Sequence, residues 1–205
     1  MYNPVMNTTE RTLVLIKHDA ILRGLVGTII DRFEKNGLKI VAGKFKTGIS
    51  KKFAQSFYMN SKEWKLNVGT RTINTFNYYG YKPKKCFNSD DPVEIGNKIY
   101  VWTVDYLIKG PVLALVLAGP FAITRTKEVI GSNYINEQTR GTIRADFSID
   151  NIISANSGGR AMYNLAHRSS NVTEAQKDIN LWFKQREIGN YTTAYEIIHK
   201  SRQIS

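Results

Sequence analysis

The sequence predicts an α+β fold of the ferredoxin-like, split βαβ kind: an antiparallel four-stranded sheet with helices on one face and an inserted helical segment. Two observations carry that expectation. Four β-rich runs alternate with helix-period runs in the order βαβ and then βαβ, and a segment of different composition at about 60–109 separates the two halves. At 205 residues the chain has the length of one domain, read here as a single unit over 1–205, and is long enough to bury a substantial core.

The first run, 12–17 (TLVLIK), is apolar and rich in β-formers, and it ends at the polar triplet Lys17, His18, Asp19. Past Arg23 and Gly24, residues Val26, Ile29, Ile30 and Phe33 share one helical face, and Gly37 supplies a stop. Residues 38–45 alternate and read as a second strand; Phe53 and Phe57, four apart, mark a short amphipathic helix within 51–59. The stretch 60–91 turns rich in Asn, Tyr, Lys and Gly, with a helix over 64–76. Asp91, Pro92 and Glu94 then combine an N-cap, a proline at the first helical position and a capping-box glutamate. Ile95, Ile99, Trp102 and Tyr106 keep helical spacing up to Gly110. Residues 111–118 are almost wholly apolar, the mark of a strand covered on both faces. A short helix to Ile130, capped by Gly131, leads into a polar stretch over 131–160 and a last strand at 162–166 that runs into His167. Val172, Ala175, Ile179, Trp182 and Phe183 form the face of a final helix, with Thr173 and Gln176 as its capping pair.

Charge is the unusual property. Twenty-nine Lys+Arg against 17 Asp+Glu gives +12, so an anionic partner is expected: a nucleotide, a nucleic acid or an acidic membrane. The single cysteine, Cys86, excludes an internal disulfide framework, and three scattered histidines do not build a zinc site with it. A reduced, cytoplasmic protein is the expectation. Residues 1–11 lack the apolar core of a signal peptide. The longest apolar run, 112–123, is broken by Gly119 and Pro120 and is too short to cross a bilayer, so no membrane role is expected.

The common glycine cradles for phosphate are missing. Residues 37–44 come near a P-loop but have five intervening residues and Phe45 where a hydroxyl is needed, and no G-x-G-x-x-G occurs. What remains is a set of polar residues at element edges: Lys17 ends a strand, Arg144 lies in a tight Gly141-Thr142-Ile143-Arg144 turn, and Asn164 stands three before His167. A histidine at a strand end, held by a polar neighbour, can serve as nucleophile or base. Taken singly, His167 reads as a structural histidine, and Lys17 and Arg144 as solvated surface charges. Local chemistry alone stops at a basic α+β domain.

The order of the segments adds more. Residues 10–17 (ERTLVLIK) followed by 23–27 (RGLVG) closely resemble the opening of nucleoside diphosphate kinases. Gly110-Pro111-Val112, the run 141–147 (GTIRADF), Asn164-Leu165-Ala166-His167 and a helix ending Leu181-Trp182-Phe183 match that family in the same order. The resemblance covers about residues 9–59 and 106–186.

The resemblance implies ping-pong phosphoryl transfer, in which a triphosphate such as ATP phosphorylates the histidine matching His167 and a second nucleoside diphosphate takes the group back. Lys17 and Arg144 match positions that hold phosphates and sugar hydroxyls, Tyr58 a tyrosine beside the histidine, and Asn164 a residue that contacts the ribose. Lys127 falls where the family has Arg, and Asn133 where it has a phosphate-binding threonine. Ser169 and Asp178 match the Ser–Glu pair that supports the histidine, one methylene shorter. Trp64 is nearest to the family's base-stacking phenylalanine and reads equally as a packing residue. Magnesium rides on the nucleotide phosphates, so no protein metal site is implied. A homo-oligomer, usually a hexamer in the family, is implied as well.

The departures set the alternatives. Arg168 replaces the small residue after the histidine and reads either as an added phosphate ligand or as an obstruction. His18 stands in place of a proline. A kinase-like scaffold of weak turnover is one alternative. A nucleic-acid-binding module is the other, motivated by the charge and the Tyr- and Lys-rich insert, although the RNA-recognition consensus is missing. Within the kinase reading, nucleic acid is a secondary partner.

Overall fold

The computed structural model describes residues 9–134, 137–194 and 196–197. Its first half runs β1 (Thr9–Ile16), α1 (His18–Leu22), α2 (Val26–Lys35) and β2 (Lys39–Lys46). Four helices follow: α3 (Lys51–Phe57), α4 (Lys62–Tyr78), α5 (Pro83–Phe87) and α6 (Pro92–Ile108). The second half comprises β3 (Val112–Pro120), α7 (Ala122–Ile130), α8 (Ile143–Phe147), α9 (Ile152–Ser157), β4 (Ala166–Arg168) and α10 (Val172–Trp182). The strands form one sheet in the order β2-β3-β1-β4, with every neighbouring pair antiparallel, which is the ferredoxin-like arrangement.

Alternation along β1 divides the core. Val14 and Ile16 point to one side and pack with Ile29 and Phe33 of α2 and Val129 and Ile130 of α7. Leu13 and Leu15 point to the other and meet Phe57 of α3, Tyr100 and Val104 of α6 and Trp182 of α10. The crossover helices α2 and α7 thus share one face as expected, but the opposite face is covered too. The composition of β3 requires it: buried residues occupy seven of its nine positions, and only a two-sided cover satisfies such a strand.

Three local expectations are corrected. The last strand is not 162–166 but Ala166–Arg168, with His167 inside it. Leu165 adopts a left-handed φ of 66°, and its backbone bonds away from the ladder: its N–H donates to Asp19 Oδ2 (3.0 Å) and its carbonyl accepts from Lys17 N–H (2.8 Å). Helix α10 is capped by Asn171, whose Oδ1 accepts from Glu174 N–H (2.8 Å), rather than by Thr173 and Gln176. The polar stretch 131–160 holds two short helices, started by Thr142 and Asn151 side chains that accept from the third residue onward. The Asp91 cap forms as expected, with Oδ1 accepting from Glu94 N–H (2.8 Å).

Helices α4 and α6 cross backbone to backbone. A Cβ on Gly69 would lie 1.8 Å from the Pro92 carbonyl oxygen, and one on Gly96 would lie 2.1 Å from that of Lys65. Neither contact is with a flexible side chain, so the helices themselves must part. Gly69→Ala is expected to lower stability by about 3 kcal/mol, the upper range for overpacking, read as a lower denaturation midpoint at unchanged slope. No helix among the described residues is long and apolar enough to cross a membrane.

Candidate active site

The sheet edge at β4, beside the end of β1, borders a cleft of about 370 Å³, lined among others by Lys17, Tyr58, Trp64, Arg144, His167 and Arg168. Strand β4 places His167 opposite Leu15 of β1, and the imidazole rests edge-on against Phe57 and Tyr58, with centroids 4.9 and 5.7 Å away. Its Nε2 is buried and has no hydrogen-bond partner. Burial, reinforced by the charges of Lys17, Arg144 and Arg168, holds its pKa well below the ordinary value. The ring is therefore neutral at pH 7.

Lys17 leaves the end of β1 and is only 4% exposed. Its Nζ donates to Asn164 Oδ1 (2.7 Å) and lies 4.6 Å from the centre of the Tyr106 ring. Burial first and Arg144 second bring its pKa down to about 7. Arg144, in α8, reaches two other segments through three bonds: Nε donates to Asn164 O (3.2 Å), Nη1 to Gly131 O (2.7 Å) and Nη2 to Ala166 O (2.7 Å). Burial and then Arg168 lower its pKa to about 10. Three cations thus surround the imidazole in a largely desolvated space, an arrangement that calls for an anion.

Behind this cluster lies a buried brace. Tyr106 O–H donates to Asp19 Oδ1 (2.5 Å) and its oxygen accepts from Asn164 N–H (3.2 Å), while Asp19 Oδ2 holds Leu165. Burial, with Asp19 next, raises the Tyr106 pKa well above its usual value, so it remains a phenol. The brace fixes residues 164–166 directly before the histidine. Nothing in the sequence marked Tyr106 beyond its helical spacing.

The remaining sequence-predicted residues fall into two groups. Tyr58 lines the cleft with its hydroxyl buried and unpartnered, and burial raises its pKa. Trp64, in the first turn of α4, lines the wall and packs edge-on against Tyr100. Asn133 borders both this cleft and an adjoining one of about 660 Å³, which Lys127 lines instead of the first. Asn164 stands one layer back: its side chain joins Lys17 to Asn133 Oδ1 (2.9 Å) and is not among the lining residues.

The expected Ser–acid support is half made. Ser169 Oγ donates to Asp178 Oδ2 (2.8 Å), and burial brings the Asp178 pKa up to about 6. No hydrogen bond joins Asp178 to His167 among the described residues, which fits a side chain one methylene short. His167, Glu174 and Asp178 do bring potential ligand atoms within 4.8 Å of one another, but Ser170 N–H and Ser169 Oγ occupy the two carboxylates.

Residues missed by the sequence reading come from afar. Arg71, on α4, lines both clefts, stacks 4.0 Å over the Tyr134 ring and pairs with Glu137 at 3.1 Å. Thr72 and Asn156, both buried, also line the first cleft. No local pattern distinguishes these from surface residues.

A neutral, half-buried imidazole set in a basin of cations on a ferredoxin-like sheet fits a phosphate-handling transferase better than a hydrolase built on a triad. The comparisons with known proteins make this specific. The family model described as nucleoside diphosphate kinase matches residues 10–68 and 93–188, leaving 69–92 unmatched. The nucleoside diphosphate kinase of Pyrobaculum aerophilum is 39% identical over 179 residues, 87% of this chain and 97% of its own length. The crystal structure of an NDP kinase from that organism superposes with a TM-score of 0.83 at 37% identity, covering 89% of this chain and all of the other. A Borrelia burgdorferi nucleoside-diphosphate kinase, solved as a transition-state mimic with bound vanadate and ADP, superposes with a TM-score of 0.72 at 26% identity, covering 94% and 97%.

The chain belongs to the nucleoside diphosphate kinase family. Its activity is phosphoryl transfer from a nucleoside triphosphate to a nucleoside diphosphate; the scaffold and nucleic-acid-module alternatives are not favoured.

Proposed function

We propose that the transfer runs through a phosphohistidine at His167 in two half-reactions, and the observation that carries this is the neutral imidazole held among Lys17, Arg144 and Arg168. Nε2 is buried without a partner, so the attacking nitrogen in this reading is Nδ1. In the first half-reaction its lone pair forms the N–P bond as the bond from phosphorus to the β-phosphate oxygen breaks, and that oxygen leaves with the electron pair on the diphosphate. The acceptor diphosphate reverses the step. Lys17 and Arg144 face the phosphates, and charge spreading over the equatorial oxygens meets fixed cations, so positioning and electrostatics supply the catalysis. Tyr58 walls the imidazole, Asn133 and Lys127 extend the phosphate path into the second cleft, and Asn164 holds Lys17 in place. Ser169 and Asp178 fix the strand that carries the nucleophile. Trp64 offers its ring to the base.

Magnesium accompanies the nucleotide in this reading, where it neutralises phosphate charge. The side chains directed at the phosphates are cations, a donor set suited to an ion that arrives on the substrate and unsuited to a protein cage. The chain works as a single domain in the cytoplasm and assembles as a homo-oligomer.

The test is incubation with γ-labelled ATP, a quench, and readout of acid-labile protein phosphate. Label that GDP or CDP then discharges as a triphosphate establishes the two half-reactions; turnover without any labelled protein overturns them.

The depressed Lys17 pKa makes a further prediction. Above pH about 7 the free site loses the Lys17 charge, and a bound polyphosphate restores it by raising the pKa. Nucleotide binding near pH 8 is expected to take up about one proton, and affinity to weaken as pH rises further. Titration calorimetry in buffers of different ionisation enthalpy reads this directly, and Lys17→Met removes it.

A further inference from the structure

Arg168 follows the proposed nucleophile, and in the ladder it faces Val14 where His167 faces Leu15. Alternation sends the two side chains to opposite sides of the sheet. Because β4 is an edge strand, Arg168 nonetheless lines both clefts and stands where they join. One N–H of its guanidinium donates to Ser169 O (3.1 Å), and the other four have no protein acceptor among the described residues. No carboxylate there lies within ion-pair distance of it. Arg71, the other arginine at the junction outside the proposed phosphate set, is already paired with Glu137 and stacked on Tyr134. Arg144 holds three carbonyls. Arg168 is therefore the half-buried guanidinium at this junction whose donors are most available to a ligand.

We propose that Arg168 is a catalytic residue of this enzyme, contacting the phosphoryl group while it passes between the β-phosphate oxygen and His167. This rests on the reading of His167 as the phosphoryl acceptor. As the N–P bond forms and the P–O bond opens, charge gathers on the equatorial oxygens and on the leaving β-phosphate oxygen. A planar fork at the meeting of the two clefts can take one of each, whereas the side chains already bound to carbonyls have fewer donors left. The depressed pKa values of His167 and Arg144, to both of which Arg168 contributes, fit a cation close to the same space.

The experiment is rapid-quench phosphorylation with γ-labelled ATP of the wild type, Arg168→Gly and Arg168→Lys. Glycine restores the small residue that the family resemblance places after the histidine. Arg168→Gly is expected to slow single-turnover labelling by about 10²-fold, the scale of one lost transition-state donor, with ATP affinity changed far less. Arg168→Lys recovers part of the rate, because it returns the charge without the fork. Labelling of the glycine variant at the wild-type rate or faster overturns the proposal and makes Arg168 an obstruction. If none of the three proteins acquires label while all turn over, the phosphohistidine reading fails with it, a result separable from the first.

Discussion

Replacing His167 with alanine is expected to remove protein-bound phosphate altogether and to lower nucleoside diphosphate kinase turnover by roughly 10⁴-fold or more, the scale seen when a covalent nucleophile is deleted. The structure explains why no neighbour can substitute. Lys17 and Arg144 are hydrogen-bonded in place, and the buried Tyr58 phenol has its pKa raised further, making it a poorer nucleophile still. The loss should not come from unfolding. The imidazole makes no hydrogen bond among the described residues, so its removal costs only its edge-on packing against Phe57 and Tyr58. A melting temperature lower by only a few degrees, with the protein still folded, beside a lost phosphoenzyme is the expected pair of results. A His167→Ala protein that still accepts label would move the nucleophile elsewhere.

Arg144→Ala carries the second large effect, and here stability and activity fall together. Arg144 is 8% exposed, and its guanidinium ties three carbonyls, Gly131 after α7 and Asn164 and Ala166 on the segment that leads into His167. Deleting it leaves buried acceptors unmatched, at a cost of about 1–3 kcal/mol each and not additive. A melting temperature lower by roughly 6–12 °C corresponds to about 3 kcal/mol for a chain of this size. Turnover should drop by about 10²–10³-fold from the lost cation and the loosened 164–166 segment. Arg144→Lys separates the two contributions: one ammonium cannot span three carbonyls, so stability stays low even if part of the activity returns.

How much of this was legible in the sequence depended on whether the signal was local. Strand β1 and helix α6 were readable because an apolar run and a proline-containing cap speak for themselves. His167, Arg144 and Lys17 were readable only through the order of the motifs around them, since each alone looks like an ordinary polar residue. Strand β4 was misplaced because three residues on a sheet edge carry no periodicity, and the left-handed turn at Leu165 that starts it is set by Asp19 and Lys17 from the far end of the chain. Helices α8 and α9 hid in a polar stretch although Thr142 and Asn151 announced their starts. Arg71, Thr72 and Asn156 were out of reach, because their role comes from segments meeting in space. The shortfall between Asp178 and His167 was foreseeable as a missing methylene, but only tertiary geometry turns it into a missing hydrogen bond.

The crossing of α4 and α6 at Gly69 and Gly96 also governs how the cleft breathes. Two helices in backbone contact have no side-chain layer to shear along, so they pivot together. Trp64, Val68, Arg71 and Thr72 of α4 and Ile99 and Thr103 of α6 make up one side of the cleft mouth. Admission and escape of a nucleotide on that side therefore follow a swing of the whole hairpin, a collective motion on the order of microseconds to milliseconds, and not the nanosecond flicker of a loop.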